Sequence, residues 1–215
     1  MPTSPRNRIL DAANQLFYAQ GIHAVGVDTI VARAGAAKTS LYVHFGSKDA
    51  LVAAYLRGRS EAWRSHLLDQ LAQRTNDPRE RLLAIFDILG EACSAPDYRG
   101  CPFINATAEL IDAAHPGRAV VTEHRAWVNR LLRDLAAAAG CTDPATVAAE
   151  LQLLYDAVLT TAQVQDGKEC ARRARAVAEA VIVLRQPRPR SSGVQVGADR
   201  SPMERTGPHA SDYTR

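Results

Sequence analysis

The stretch Ala34–Leu51, AGAAKTSLYVHFGSKDAL, decides the fold of this chain. Gly35 follows one run of apolar residues at helical spacing and GSKDAL precedes another, so the segment between them is a helix of barely two turns. Isolated helices shorter than about 12 residues are marginal in water because nucleation is unfavourable, so neighbouring helices must hold this one. Leu41 and Phe45 lie four residues apart on the face that we expect to pack, which leaves the polar residues exposed.

Two helices are expected before this segment and a long one after it. The pair Ser4–Pro5 is typical of an N-cap followed by a first helical residue, and apolar residues at helical spacing continue to a stop at Gly21. A second, short helix is predicted over Val27–Ala34. Ser47 then caps a long helix that we expect to end near Asn76.

The rest of the chain repeats the same start and stop signals. Capping aspartates and first-turn prolines precede apolar residues at helical spacing, and Gly167 is expected to separate the last two helices. The predicted helices run from Asp77 to before Pro96, over a short stretch after residue 101, from His115 to Gly140, over 144–166 and over 169–184. No stretch alternates apolar and polar residues over strand length with turn signals at both ends. The sequence therefore predicts an all-α protein.

The composition is that of an ordinary globular protein. The chain has 215 residues, of which 47% are apolar and 23% are charged. Charged residues interrupt the apolar runs well short of the ~18 residues that a membrane span needs, and the N-terminus lacks an apolar signal segment. We therefore expect a cytoplasmic protein without membrane contact. The cysteines form no CxxC pair, so we expect no disulfide framework, no metal and no cofactor; they are Cys93, Cys101, Cys141 and Cys170.

Positive charge is concentrated towards the two ends of the chain. Residues 1–59 carry a net charge of +4, residues 60–184 carry −4 and residues 185–215 carry +3. A basic region of this kind suggests a surface that binds a polyanion, although similar charge also occurs on ordinary solvated faces. From Gln186 onward Pro, Arg, Ser and Gly replace the large apolar residues, so we expect 186–215 to be a disordered basic tail.

The first helices have the pattern of a DNA-binding motif. A helix, a turn that contains glycine and a second helix that displays polar, aromatic and basic residues are typical of the helix-turn-helix, whose second helix enters the major groove. The stretch 27–51, VDTIVARAGAAKTSLYVHFGSKDAL, resembles the N-terminal domain of the TetR family of bacterial transcription regulators. The resemblance implies about nine helices, with a DNA-binding domain over 1–47 and a helical ligand-binding and dimerisation domain over 48–185.

The resemblance also implies which residues contact DNA. The implied contacts to a double-stranded operator are Thr29, Lys38, Thr39, Ser40, Tyr42, His44 and Lys48. Residues 38, 39, 40 and 42 are implied to face the groove, with 39, 40 and 42 as the candidates for base edges, and 29, 44 and 48 are the candidates for phosphates. Independently, Lys48 lies in the first turn of a helix, where free N–H groups and the helix dipole favour an anion. Two alternatives stay open: Tyr42 packs, and His44 caps a helix or binds the scaffold.

By the same resemblance, the second domain binds a small-molecule effector and forms a homodimer through its last two helices. A two-fold dimer predicts a palindromic operator. The interface candidates are Leu151, Leu154, Val158, Val177, Val181 and Leu184. The candidates for the effector pocket are Trp63, His66, Phe86, Cys101, Phe103, Asn105, Trp127 and Tyr155. The alternative for each residue in both sets is a place in the monomer's own core.

Cys101 is the cysteine with a distinct local setting. It lies between Gly100 and Pro102, just before a short helix whose N–H groups would stabilise a thiolate. We expect it to be the most reactive of the four thiols and to lie near the ligand pocket, where some members of the family sense electrophiles. The alternative is an inert buried thiol, since free cysteine is among the most buried residue types.

The leading hypothesis is a ligand-responsive transcriptional regulator, a repressor that its effector releases from the operator. The main alternative is a cysteine-dependent small-molecule hydrolase or acyl-transfer enzyme, in which Cys101 acts with His115 or His124, oriented by Glu109 or Glu123. No recognised motif supports that enzyme, so we expect no catalytic residues. A third interpretation, a helical interaction protein, leaves the exposed polar face of the third helix unexplained.

Overall fold

The computed structural model describes residues 4–186, and these residues form nine α-helices and no strand. The helices are α1 Pro5–Gln20, α2 Val27–Ala34, α3 Lys38–Phe45, α4 Lys48–Arg74, α5 Pro78–Cys93, α6 Pro102–Glu109, α7 Pro116–Ala138, α8 Pro144–Thr161 and α9 Gly167–Leu184. The all-α prediction is confirmed. Apart from Gln186, the tail expected over 186–215 lies outside the described residues.

Side-chain caps start several helices where the sequence indicated them. The side chains of Ser4 and Ser47 each accept a hydrogen bond from the N–H three residues further on, at 3.3 and 3.0 Å. Asp77 and Asp143 make the same contact at the starts of α5 and α8, at 2.8 and 3.1 Å. Gly35 ends α2 in the left-handed conformation at φ 56°. The local signals therefore set most helix boundaries.

The end of α8 and the start of α9 differ from the prediction. Helix α8 ends at Thr161 rather than at residue 166, and α9 begins at Gly167 instead of after it. The Asp166 carboxylate accepts a hydrogen bond from the N–H of Glu169 at 2.8 Å, so it caps α9 and cannot belong to α8. Gly167 is the first residue of α9, and a Cβ there would lie 2.9 Å from the Cβ of Cys93. Its absence of a side chain lets α9 start against the end of α5.

Two apolar clusters form the core, and their division does not follow the order of the chain. The first cluster contains α1–α3 and also the start of α4 with Leu51, α6 with Phe103 and the start of α7 with Val121. The second contains the rest of α4 with Leu67, together with α5, the end of α7 with Leu132, α8 and α9. The apolar core of the N-terminal helices therefore extends well beyond residue 47. Helices α4 and α7 contribute to both clusters.

Candidate DNA-binding surface and ligand cavity

The first apolar cluster holds the short helix α3 by packing against one of its faces. Leu41 is fully buried, as the sequence predicted, and Phe45 is half-buried against the first cluster. The guanidinium of Arg6 lies 5.4 Å from the centroid of the Phe45 ring. Ala37 precedes α3 without a side-chain cap. Tertiary contacts therefore supply the support that the sequence of α3 lacks.

The outer face of α3 is polar and exposed. Thr39, Tyr42 and His44 are exposed, with Tyr42 at 46% of its accessible surface, and Ser40 is half-buried. Thr29 is exposed on the neighbouring helix α2. These side chains are thus accessible to a ligand outside the molecule, as the predicted DNA contacts require.

The two predicted lysine contacts are already engaged within the protein. Lys38 Nζ lies 2.9 Å from Asp28 Oδ1, and this hydrogen-bonded ion pair raises the pKa of Lys38. Lys48 Nζ donates to the carbonyl oxygen of Ile22 at 2.8 Å and lies 6.0 Å from the centroid of the Phe17 ring. The Lys48 ammonium is therefore held against α1 and the loop after it rather than extended into solvent. A phosphate at this point would meet the N-terminus of α4 and an ammonium with two remaining donors.

A first cavity lies between α6, α7 and α8. Its volume is about 460 Å³. Its lining includes Cys101, Phe103, Val121, His124, Arg125 and Tyr155. At the edge of the cavity Arg125 pairs with both carboxylate oxygens of Asp156, at 3.0 and 2.7 Å. Ligand sites commonly have volumes of about 300–1,000 Å³, so this space is large enough for a small organic molecule.

A second cavity adjoins the first and lies between α1, α4, α5 and the loop before α6. Its volume is about 300 Å³. Its lining includes Tyr18, Arg59, Trp63, His66, Cys93 and Tyr98. The residues that line both cavities are Cys101, Phe103, His124, Tyr155 and Leu159. We call these five residues the shared wall.

The centre of the shared wall is a stacked pair of rings. Phe103 and His124 lie with their ring centroids 3.7 Å apart and their planes at 11°. His124 Nδ1 and Ser60 Oγ are 2.9 Å apart in a buried hydrogen bond. Burial, with smaller contributions from Arg64 and Arg125, lowers the pKa of His124 to about 4. His124 is therefore neutral at physiological pH.

Sequence reasoning missed His124 as a pocket residue and named it only as a possible base in the enzyme alternative. It lies on the apolar face of α7 with Val120, Val121 and Val128 at helical spacing. A single histidine on an otherwise apolar helix face was the signal in the sequence that could have indicated its place in the pocket.

The predicted pocket residues divide into two groups. Those that line the second cavity are Trp63, His66, Cys101, Phe103 and Tyr155. Phe86 is fully buried in the second cluster and lines neither cavity. Asn105 lies on another face of α6, where its Nδ2 donates to the carbonyl oxygen of Arg99 at 2.9 Å. Trp127 packs on the core, with the guanidinium of Arg64 5.1 Å from its ring centroid. For these three residues the core and surface alternatives describe the structure better.

The expectation that Cys101 has a lowered pKa is wrong. Cys101 is the N-cap residue of α6, and the N–H groups of Phe103 and Ile104 lower its pKa as expected. Burial has the larger effect, because Cys101 is only 7% exposed, and it raises the pKa to about 11. Cys101 is thus a neutral thiol on the shared wall. A cysteine nucleophile would need the thiolate, so the raised pKa of Cys101 disfavours the enzyme alternative.

The predicted dimer residues also divide by burial. Leu151 and Val158 are 0% and 1% exposed within the monomer, so they belong to its core and cannot form an interface. Leu154 and Val181 are half-buried. The large apolar residues of α8 and α9 that remain exposed are Leu153, Val177, Val183 and Leu184, at 71, 51, 53 and 81%. The exposed apolar surface therefore lies on the two predicted helices, but on partly different residues.

Hydrogen bonds join the two ends of α6 to the region of α1. Tyr18 Oη donates to the carbonyl oxygen of Gly100 at 3.1 Å and accepts from the N–H of Arg99 at 3.0 Å. After α1, the His23 N–H donates to Glu109 Oε2 at 2.7 Å, and His23 Nε2 lies 2.6 Å from the Glu109 carbonyl oxygen. We call this set of contacts the α1–α6 junction. Its partners are more than 80 residues apart in sequence, so no local sequence pattern predicts the junction.

Within residues 4–186, no cluster of three or more His, Cys, Asp or Glu side chains is arranged to hold a metal ion. None of the helices in the same range combines the length and apolarity needed to cross a membrane.

Two protein-family models match the chain. The model described as "Bacterial regulatory proteins, tetR family" matches residues 9–55, and "Tetracyclin repressor-like, C-terminal domain" matches residues 78–178. The chain belongs to the TetR family. Members of this family are DNA-binding transcriptional regulators rather than enzymes, so this TetR-family chain is a helix-turn-helix regulator.

Known proteins agree with this assignment. The chain is 30% identical to SCO4454, a TetR-family transcriptional regulator from Streptomyces coelicolor, with a TM-score of 0.79 over 85% of this chain and 96% of that one. It is 28% identical over 106 residues to an HTH-type transcriptional regulator from the lacX 3′ region of Lactococcus lactis subsp. lactis, covering 49% of this chain and 54% of that protein. It is 32% identical over 127 residues to the HTH-type transcriptional regulator LmrA of Bacillus subtilis, covering 58% and 67%. The chain thus spans about half the length of the Lactococcus relative and two thirds of LmrA.

Proposed function

We propose that this TetR-family chain is a homodimeric repressor that binds a palindromic operator and is released by a small-molecule effector. One observation carries the proposal: α6 lines both cavities through Phe103 and is hydrogen-bonded near both ends to the region of α1. An occupant of either cavity therefore contacts the element that is tied to the DNA-binding helices.

The proposed response is a shift of α6 that changes the position of α1. Through the first apolar cluster, the same shift changes the position of α3. An effector shifts this equilibrium only if it binds one arrangement of α6 more tightly than the other. Coupling free energies between sites are typically about 1–3 kcal/mol, which corresponds to a change of about 5- to 150-fold in operator affinity. The junction contacts at Gly100 and Glu109 lie just before α6 and at its end, so a displacement of α6 strains them directly.

For the DNA complex we propose that Thr39, Ser40 and Tyr42 contact base edges. The proposed phosphate contacts are Thr29, Lys38, His44 and Lys48. Lys38 reaches a phosphate only if it exchanges or shares its ion pair with Asp28, and Lys48 contributes from the N-terminus of α4. The proposed division is a DNA-binding domain over 1–47, an effector and dimerisation domain over 48–185, and a basic tail beyond it. Operator binding places the proposed site of action in the cytoplasm.

For the dimer we propose an interface of α8 and α9 centred on their exposed apolar residues. Val177→Asp is expected to convert the dimer to a monomer, because it buries an unpaired carboxylate in the interface. Ile111→Asp is the matched control, since Ile111 is 92% exposed and lies outside both helices. Analytical ultracentrifugation reads the mass of each variant. A Val177→Asp protein that stays dimeric would contradict this interface.

Selection of bound sequences from random DNA tests the proposed function. The purified chain is expected to enrich a palindrome, and its affinity is expected to fall steeply with salt because phosphate contacts release counterions. Tyr42→Ala is expected to relax the sequence preference, whereas the control Val43→Ala, which truncates an exposed apolar side chain of the same helix, is expected to keep it. A folded dimer that enriches no sequence would refute the proposal, and an unchanged preference in Tyr42→Ala would refute its role at base edges.

A further inference from the structure

The second cavity contains a charge that no protein group neutralises. Arg59 Nε is buried without a hydrogen-bond partner, and the residues that line the cavity include neither Asp nor Glu. Among residues 4–186, Arg59 forms no ion pair. Its guanidinium carbon instead lies 4.2 Å from the centroid of the Tyr18 ring and 5.9 Å from that of Tyr55. These rings attract the cation but leave its charge uncompensated.

The buried polar groups around this cavity are neutral at physiological pH. Burial raises the pKa of Tyr55 to about 12, although Arg59 opposes the shift, and it raises the pKa of Cys93 and Tyr155 as well. The pKa of His124 is lowered, in part by the positive charges of neighbouring arginines. No carboxylate that lines the cavity balances the half-exposed Arg59, which disfavours a cationic occupant.

The arginine of the first cavity offers no free charge. Arg125 is held by two hydrogen bonds to Asp156, at 3.0 and 2.7 Å. A negative group inside the second cavity would therefore find its counter-charge at Arg59. An Arg guanidinium binds a carboxylate through two parallel N–H donors, which fixes the orientation of the bound group as well as its charge.

The aromatic residues that line the same cavity suit a flat apolar body. Phe103 and His124 stack face to face at 3.7 Å, and the rings of Trp63 and Tyr155 also lie on the cavity surface. Aromatic rings prefer to pack on such surfaces in offset or tilted arrangements. The cavity volume, about 300 Å³ beside the adjoining 460 Å³, admits one or two fused or linked rings.

We propose that the effector is an organic acid with an aromatic body, whose carboxylate pairs with Arg59 and whose rings lie against the shared wall. The ligand's role as an effector rests on the proposed function, but the binding site itself does not. The ligand is a monoanionic aromatic carboxylate, and Arg59 is the residue that selects for its charge.

Calorimetric titration of the full chain without DNA tests this assignment. The probes are benzoate, naphthoate and biphenylcarboxylate, each beside its primary amide, which keeps the shape and removes the charge. At least one acid is expected to bind about tenfold or more tightly than its amide. Arg59→Gln is expected to abolish that preference and Arg59→Lys to retain part of it. Arg57→Gln is the matched control, because Arg57 is exposed on the same helix and does not line the cavity.

Three outcomes would overturn the assignment: no acid binds more tightly than its amide, Arg59→Gln keeps the preference, or Arg57→Gln loses it as fully. Circular dichroism checks that each variant is folded, and if Arg59→Gln is not, Arg59→Lys and the acid–amide comparison in the unaltered chain decide. Because DNA is absent, failure here leaves operator selection untouched. Conversely, acid binding by a chain that selects no operator would refute the proposed function and keep the ligand site.

Discussion

Gly90→Ala tests the close packing of α5 against α9, on which the second apolar cluster depends. A Cβ at position 90 would lie 2.7 Å from the Cβ of Ala171 and 3.5 Å from the Cα of Lys168. Ordinary van der Waals contact of a Cβ begins at 3.4 Å. The Ala171 Cβ is bonded to the α9 backbone and cannot rotate away, so the two helices themselves must separate by several tenths of an ångström.

Two opposing effects decide the sign of this change. Alanine in a helix interior is more favourable than glycine by ~0.5–1 kcal/mol. Overpacking of a well-packed core costs about 1–3 kcal/mol. Since the clash involves backbone-fixed atoms, we expect the packing cost to exceed the helix-propensity gain, with a net loss of about 1–2 kcal/mol. For a chain of this size the melting temperature should fall by about 2–8 °C.

Gly58→Ala is the matched control for Gly90→Ala. Gly58 is also in a helix interior, but it is exposed and a Cβ there would meet nothing within 4 Å. The control should therefore gain ~0.5–1 kcal/mol and melt about 1–4 °C higher. Thermal melts followed by circular dichroism, at one protein concentration because a dimer's midpoint depends on it, compare the two. If Gly90→Ala melts at or above the unaltered chain, the argument from packing fails.

Three further predictions concern charge and protonation. Asp28→Asn should strengthen operator binding, because it frees Lys38 for a phosphate; weaker binding in an anisotropy titration would contradict this. Cys101 should react with maleimide at pH 7 far more slowly in the native chain than in urea, since burial raises its pKa to about 11; fast native labelling by mass spectrometry would contradict the placement. The pKa of His124 is about 4 when folded against an ordinary 6.5, so the unfolded chain binds the extra proton between these values and stability falls as the pH drops through that window. The loss is on the order of 3 kcal/mol, and His124→Gln should remove that part of the dependence measured by denaturation at each pH.

The features that the sequence predicted correctly are those that depend on neighbours in the chain. Ser47, Asp77 and Asp143 cap helices because each side chain reaches an N–H only three residues away. Leu41 is buried because helical spacing aligns it with the packing face of α3. The prediction that Asp166 belongs to α8 is wrong although its capping contact is equally local, because the glycine that follows it suggests a break between helices at 167.

The features that the sequence did not predict depend on tertiary contacts. The local setting of Cys101 indicated a lowered pKa, but burial by distant helices reverses the direction. Phe86 and His124 both lie on apolar helix faces, and only the packing of the helices places His124 on the cavity wall and Phe86 in the core. Leu151 lies on the predicted dimer helix, yet its side chain points into the monomer. Helical spacing gives the face of a residue but not the element opposite it.

The first apolar cluster explains how a ligand signal reaches α3 without a separate connecting segment. Cys101, Phe103 and Val121 line the first cavity and also belong to the apolar cluster that contains Leu41 of α3. Protein interiors pack at nearly crystalline density, so a displaced wall residue moves its neighbours rather than compressing them. Packed interfaces also tend to switch between discrete arrangements, which converts a small displacement into a change of element position. The junction at Glu109 then adds direction, because it ties the far end of α6 to the residues between α1 and α2. On this argument the proposed signal passes through α6 and the core beneath the DNA-binding helices, to which the start of α4 also contributes.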